Sequence, residues 1–134
     1  MNKLLALLII AVSMFVCDPP LNSGAKFHIK NQTDMKLNIA LGGTYIILPA
    51  GKTHTIKASE NYNSIFDHEI ARLNICSVFS DETMLRTWRH SQRNDGGKQF
   101  FNEFSWTRGR ESDDGDIYVT YTFVITPEDL GLQQ

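Results

Sequence analysis

The stretch Asp116-Ile117-Tyr118-Val119-Thr120-Tyr121-Thr122-Phe123-Val124-Ile125-Thr126 decides the fold class. Ile117, Val119, Tyr121, Phe123 and Ile125 fall on one side of an extended chain, and Tyr118, Thr120 and Thr122 fall on the other. Successive side chains of a strand point to opposite faces, so period-two alternation over this length reads as a half-buried strand. The same pattern recurs in shorter pieces toward the N-terminus. Phe27 and Ile29 alternate with His28 and Lys30, while Leu37, Ile39 and Leu41 alternate with Lys36, Asn38 and Ala40. Thr44–Leu48, Thr53–Ala58, Arg72–Phe79, Met84–His90 and Gln99–Thr107 complete a set of eight short strands.

Turn chemistry separates these strands. Gly42-Gly43 and Pro49-Ala50-Gly51-Lys52 bracket Thr44–Leu48. Asn94-Asp95-Gly96-Gly97 and Asp113-Asp114-Gly115-Asp116 supply residues that tolerate positive φ, as hairpin connections require. One short helix is expected where Ser64 can cap, Asp67 lies three residues on, and Phe66, Ile70 and Leu73 share a face. A further turn is expected at Thr126-Pro127-Glu128-Asp129. The pattern predicts an all-β fold, an antiparallel β-sandwich of about eight short strands with one short helix, over residues 26–134.

The N-terminus has a different character. In MNKLLALLIIAVSMFVCDPP a single positive charge, Lys3, precedes an apolar run that ends at Cys17, and Asp18-Pro19-Pro20 stops any helix. That run is shorter than the roughly 18–20 residues needed to cross a bilayer and suits the core of a signal peptide. Residues 1–17 are therefore expected to direct export, with 18–25 as a tether. Two processing routes stay open. Ala11-Val12-Ser13 offers small residues to a signal peptidase, leaving Cys17 in the mature chain. Alternatively Cys17 is the acylated first residue of a lipoprotein, although Val16 and Met14 stand where Ala or Gly and Leu are usual.

Removal of the first 16 residues would leave 118 of the 134, enough for one domain with one core. The charge, net −2 from 13 basic and 15 acidic residues, becomes −3 once Lys3 is lost. Such mild acidity argues against general nucleic-acid binding. The two cysteines, Cys17 and Cys76, exclude a disulfide-rich scaffold. If Cys17 is acylated, Cys76 is a small buried strand residue; if not, a Cys17–Cys76 bridge is open to it.

Catalytic and metal motifs are missing from the sequence. His28, His54, His68 and His90 lie on four different elements without metal-ligand spacing. Asp113, Asp114 and Asp116 surround Gly115, but Ile117 begins a strand where a calcium loop needs more ligands. No Gly-x-Ser-x-Gly elbow or phosphate-cradling glycine loop is present. The expectation is a non-enzymatic protein with no metal or other cofactor.

Charge is uneven along the chain. Arg86, Arg89, Arg93, Lys98, Arg108 and Arg110 stand against only Asp95 and Glu103, and are interleaved with Trp88, Phe100, Phe101, Phe104 and Trp106. Arginine beside aromatics is the composition of interface hot spots and of surfaces that read anionic partners. Alternation along Gln99–Thr107 puts Phe100, Phe104 and Trp106 on an inward face and leaves Phe101 outward. Arg86, Arg89, Arg93, Arg108 and Phe101 are accordingly the candidate partner-binding residues. The acids of Glu111–Asp116 are expected to answer some of those arginines.

Leu48-Pro49-Ala50-Gly51-Lys52-Thr53, then Ile56, Leu73–Phe79, Ser80-Asp81 and Thr87-Trp88-Arg89, together resemble the outer-membrane lipoprotein of type VI secretion systems. That family shows a Leu-x-Pro-Gly turn, an apolar strand ending in Phe-Arg-Asp, and a Trp-Arg pair. Here Ala50 separates Pro49 from Gly51, Phe79-Ser80-Asp81 replaces Phe-Arg-Asp, and Trp88-Arg89 matches as it stands. The likeness covers about forty residues. The family's long early loop has no counterpart, since Asn31-Gln32-Thr33-Asp34 is a short turn. The resemblance implies a transthyretin-like β-sandwich tethered through Cys17 to the periplasmic side of the outer membrane, holding an inner-membrane component.

These observations lead to one expectation and its alternatives. The chain is expected to be a cell-envelope module that binds a protein partner, and to reach the membrane through a lipid anchor if Cys17 is acylated. The alternatives are a secreted sandwich that meets glycans or lipid headgroups through exposed Tyr62, Phe101 and Tyr118, or an exported enzyme inhibitor.

Overall fold

The computed structural model describes residues 23–59 and 63–132. Eight strands form two four-stranded sheets: β1 (Gly24–Asn31), β2 (Leu37–Leu41), β3 (Thr44–Leu48), β4 (Thr53–Ala58), β5 (Ile75–Ser80), β6 (Thr83–Arg89), β7 (Thr107–Asp113) and β8 (Asp116–Ile125). The first sheet has the order β4-β1-β8-β7 and the second β3-β2-β5-β6. The fold is an all-β sandwich. Five of the strand pairings among the described residues are antiparallel, but β1 and β8 run parallel, from Gly24 beside Tyr118 to Asn31 beside Ile125.

Alternation works as the chemistry requires. Phe27, Ile29, Val119, Tyr121, Phe123 and Ile125 point inward from the first sheet, and Leu37, Ile39, Leu41, Cys76, Val78 and Trp88 from the second. At one end Phe27 stacks on Tyr121 at 5.1 Å and meets Trp106 edge-on at 6.1 Å. The single short helix, α1 (Ile65–Glu69), adds Ile65 and Phe66 to the same core. Ser64 does not cap it as expected. Its backbone is left-handed, with φ 66°, and its side chain makes no capping bond. A reciprocal cap does form at the far end, where Thr126 N donates to Asp129 Oδ2 and Asp129 N to Thr126 Oγ1.

Turns place the strands. Leu41 pairs with Thr44 across Gly42-Gly43, and only Gly42 has positive φ, 59°, so this is a tight two-residue hairpin. Asp114 (φ 50°) and Gly115 (φ 84°) close the β7–β8 hairpin. The Pro49–Lys52 turn carries the chain from β3 in one sheet to β4 in the other.

The segment 90–106 departs most from the sequence expectation. Gln99–Thr107 is not a strand, and Asn94–Gly97 does not join a hairpin. The chain instead leaves β6, makes a 3-10 turn at His90–Gln92, loops, and makes another at Glu103–Ser105 before β7. Asn102 accounts for the change, because its Oδ1 accepts from Phe104 N and caps that turn, while its Nδ2 donates to Arg93 O. The turn breaks the two-residue period. Phe100, Phe101 and Trp106 are consequently buried, and Phe104 is 95% exposed. Two expectations are thus corrected: Phe101 is not the outward aromatic, and Phe104 is not in the core.

Candidate binding surface

The outward faces of the two sheets differ in kind. On the first sheet Lys26, although buried, places Nζ 3.0 Å from both Glu111 Oε1 and Asp113 Oδ2. His28 joins through Nε2, 3.1 Å from Glu111 Oε2, and through Nδ1, 2.8 Å from Thr55 Oγ1. Lys26 and Lys57 both lie over the Tyr118 ring, at 4.7 and 4.8 Å. The hydrogen bond from Lys26, and then that from His28, holds the Glu111 carboxyl below its usual range. Asp113 is lowered chiefly by Lys26, and Lys26 in turn is raised by Glu111 and Asp113. The acids after β7 therefore answer Lys26 and His28 rather than the arginines of the basic stretch. This cluster satisfies its own charges.

Among the described residues, the outer face of the second sheet has no such network. Pairing registers its outward side chains in two rows across four strands: Tyr45, Ala40, Ser77 and Thr87, then Ile47, Asn38, Phe79 and Met84. None of these eight positions is charged. Tyr45, Ile47 and Met84 are 61%, 62% and 58% exposed. An antiparallel sheet with one solvated face ordinarily alternates apolar-in with polar-out, and here the outward set is itself mostly apolar. The polar groups present are occupied in part with one another, since Ser77 Oγ lies 3.1 Å from Thr87 Oγ1, whose hydroxyl donates to Met84 Sδ.

The sequence candidates distribute around this face. Arg89 pairs with Ile75 in the next row, so it stands exposed at one corner. Arg86 pairs with Val78 and belongs to the inward row, its guanidinium 5.0 Å from the Trp88 ring and donating to Asp129 O. Arg93 donates to His90 O at the foot of the loop. Arg108 is on the other sheet, 5.6 Å from the Tyr121 ring. The structure does not gather these four arginines into one patch. Phe101 and Tyr118 are both buried, and Tyr62 and Cys17 lie outside the described residues. The apolar rows are not legible in the sequence, because Tyr45, Ile47, Phe79 and Met84 belong to three strands and only the register aligns them.

Two other features are chemically distinct. A cleft of about 380 Å³ between α1 and β7 is lined by Asn63, Ser64, Ile65, Asp67, Glu103, Arg108 and Tyr121. Burial raises the Tyr121 phenol there, while Arg108 opposes the shift. Among the described residues its lining holds no histidine or cysteine. Among the described residues no three His, Cys, Asp or Glu side chains converge to hold a metal ion. Cys76 is fully buried, and burial pushes its thiol well above the usual range.

The residues of the secretion-lipoprotein resemblance have clear places. Pro49–Lys52 is the turn between the sheets, Asp81 lies in the turn after β5 with φ 52°, and Trp88 is core while Arg89 points out. Comparison of the chain with protein-family models, with curated proteins and with solved structures returns no match.

Proposed function

We propose that the chain is an exported, non-enzymatic binding module of the cell envelope, and that it holds a protein partner on the outer face of the second sheet. One observation carries this reading: eight registered outward positions without a charge, three of them large apolar side chains open to solvent. Arg89 at the corner supplies the polar rim that such an interface ordinarily has. On the first sheet Lys26, His28, Glu111 and Asp113 already engage one another, which leaves that cluster little to offer a partner. On the family resemblance, the partner would be the periplasmic end of an inner-membrane component of a secretion complex.

The face can be tested by site-specific photo-cross-linking in intact cells. A benzophenone side chain at Met84 should give a discrete adduct with another protein, and one at Lys30, exposed on the first sheet, should not. Equal labelling from both positions, or none from Met84, would refute the assignment. Export is tested separately. Cys17→Ser should move the protein from the membrane to the soluble fraction and abolish palmitate labelling, whereas a soluble wild-type protein beginning at Met14 would refute the lipid anchor.

A further inference from the structure

Among the described residues, each sheet of the sandwich ends in two strands with one unpaired side, and three of these four edges carry charge. β4 includes Lys57, β7 includes Arg108, Arg110, Glu111 and Asp113, and β6 includes Arg86 and Arg89 and shifts register at Leu85, opposite Val78/Phe79 of β5. Charges and bulges are the usual protection of an edge against pairing with another chain. β3 has neither. Its sequence Thr44-Tyr45-Ile46-Ile47-Leu48 is uncharged, free of proline and, among the described residues, paired only with β2.

The hairpin fixes which backbone groups of β3 are free. A two-residue turn makes Leu41 and Thr44 the hydrogen-bonded closing pair, and bonded and non-bonded pairs then alternate along the ladder. Ile46 and Leu48 are therefore bonded to β2, while Tyr45 and Ile47 aim N–H and C=O at the open side. A second β3, antiparallel and centred on Ile46, would bring Tyr45 of each chain opposite Ile47 of the other. That single register uses every free N–H and C=O of both strands. It also makes two aromatic–β-branched pairs on the outer face, a favourable cross-strand combination. Inward, Ile46 meets Ile46 beside a cleft of about 120 Å³, lined by Leu41, Ile56 and Leu73 together with His54, Glu69 and Arg72.

We infer that the occupant of this edge is a second copy of the chain, forming a two-fold dimer with one continuous eight-stranded sheet. The inference rests on the proposed binding face, which it completes. Four strands about 4.8 Å apart and five residues long at about 3.3 Å each give a face of roughly 300 Å². Stable interfaces bury about 800 Å² per partner. Two faces joined at β3 give roughly twice the single area, and the lack of charge lets identical edges meet without repulsion.

Sedimentation of the mature protein between about 1 and 300 µM, the range suited to a small interface, should show monomer passing to dimer. Ile47→Lys and Tyr45→Glu replace exposed side chains, so each should keep the wild-type melting temperature while its dimer dissociation constant rises at least tenfold. An equimolar mixture of the two variants should reassociate, since the register sets Glu at 45 against Lys at 47. A wild type that stays monomeric throughout, or Ile47→Lys that still dimerises, would overturn the inference; so would a mixture that fails to reassociate. The two readings separate cleanly. A monomeric protein that still cross-links a foreign partner from Met84 removes only the dimer, and a dimer without that adduct removes only the partner face.

Discussion

Phe100 and Phe104 differ by four positions and should differ by almost the full range of what a phenylalanine contributes. Phe100 is fully buried and its ring lies 5.0 Å from Trp106 and from Phe123, 5.1 Å from Phe101 and 6.1 Å from Trp88. Truncating a buried phenylalanine to alanine costs about 3–5 kcal/mol. Aromatic pairs add about 0.5–1.5 kcal/mol each beyond their buried area, which places Phe100→Ala in the upper half, about 4–5 kcal/mol. A domain of this size has about 5–15 kcal/mol in all, so the variant keeps only part of its stability. Phe104 is 95% exposed, and its turn is held by Asn102 Oδ1 through the backbone N–H rather than the ring. Phe104→Ala should therefore stay within about 0.5 kcal/mol of wild type. Urea titration followed by tryptophan fluorescence separates the cases, because at a slope of about 2 kcal/mol per molar the first variant shifts its midpoint by about 2 M. A loss above about 1 kcal/mol for Phe104→Ala, or below that for Phe100→Ala, would mean that the packing of segment 90–106 is wrong.

Asn31 is fully buried and donates from Nδ2 to Met35 O and Leu48 O while accepting from Thr33 N and Thr33 Oγ1. Asn31→Ala should cost about 2–4 kcal/mol by leaving those groups unpaired, and Asn31→Asp at least as much at neutral pH, read from urea midpoints. The Asp variant should recover relative to Ala as pH falls and its carboxyl takes a proton. At the Lys26 cluster, Glu111 and Asp113 titrate below their unfolded values, so they stabilise the fold above the unfolded carboxylate pKa, and this contribution is lost as pH falls through the folded one. Glu111→Gln should thus flatten the decline in melting temperature on the acid side, and an unchanged slope would show that the cluster does not couple to folding.

What the sequence revealed follows from the range of the interaction involved. The β8 alternation is local, and Val119, Tyr121, Phe123 and Ile125 point inward as their spacing predicts. The Gly42-Gly43 and Asp114-Gly115 turns are local too, and both form. Phe104 departs from its spacing because a three-residue turn capped by Asn102 swings it outward, while Trp106 after the turn keeps the inward side. An Asn followed by Glu-Phe-Ser is a legible turn signal, but the aromatic run outweighed it. The parallel β1–β8 pairing joins residues more than ninety positions apart and leaves no trace in periodicity. Charge segregation misled for the same reason, since the partner of Glu111 and Asp113 is Lys26, not the adjacent arginines.

The contrast between the two outer faces bears on what folding requires. Lys26, His28, Glu111 and Asp113 must satisfy one another because Lys26 is buried, so their arrangement follows from stability alone. Tyr45, Ile47 and Met84 have no such cause. Their side chains are more than half exposed, so packing gains little from them, and solubility would be better served by the threonines and lysines that occupy the matching positions of β1 and β4. The four strands that carry those uncharged outward rows include, among the described residues, the one unprotected edge, although a single lysine at position 47 would both blunt β3 and break the face. Stability explains the charged face, while the uncharged face and its bare edge make physical sense as surfaces that another chain covers.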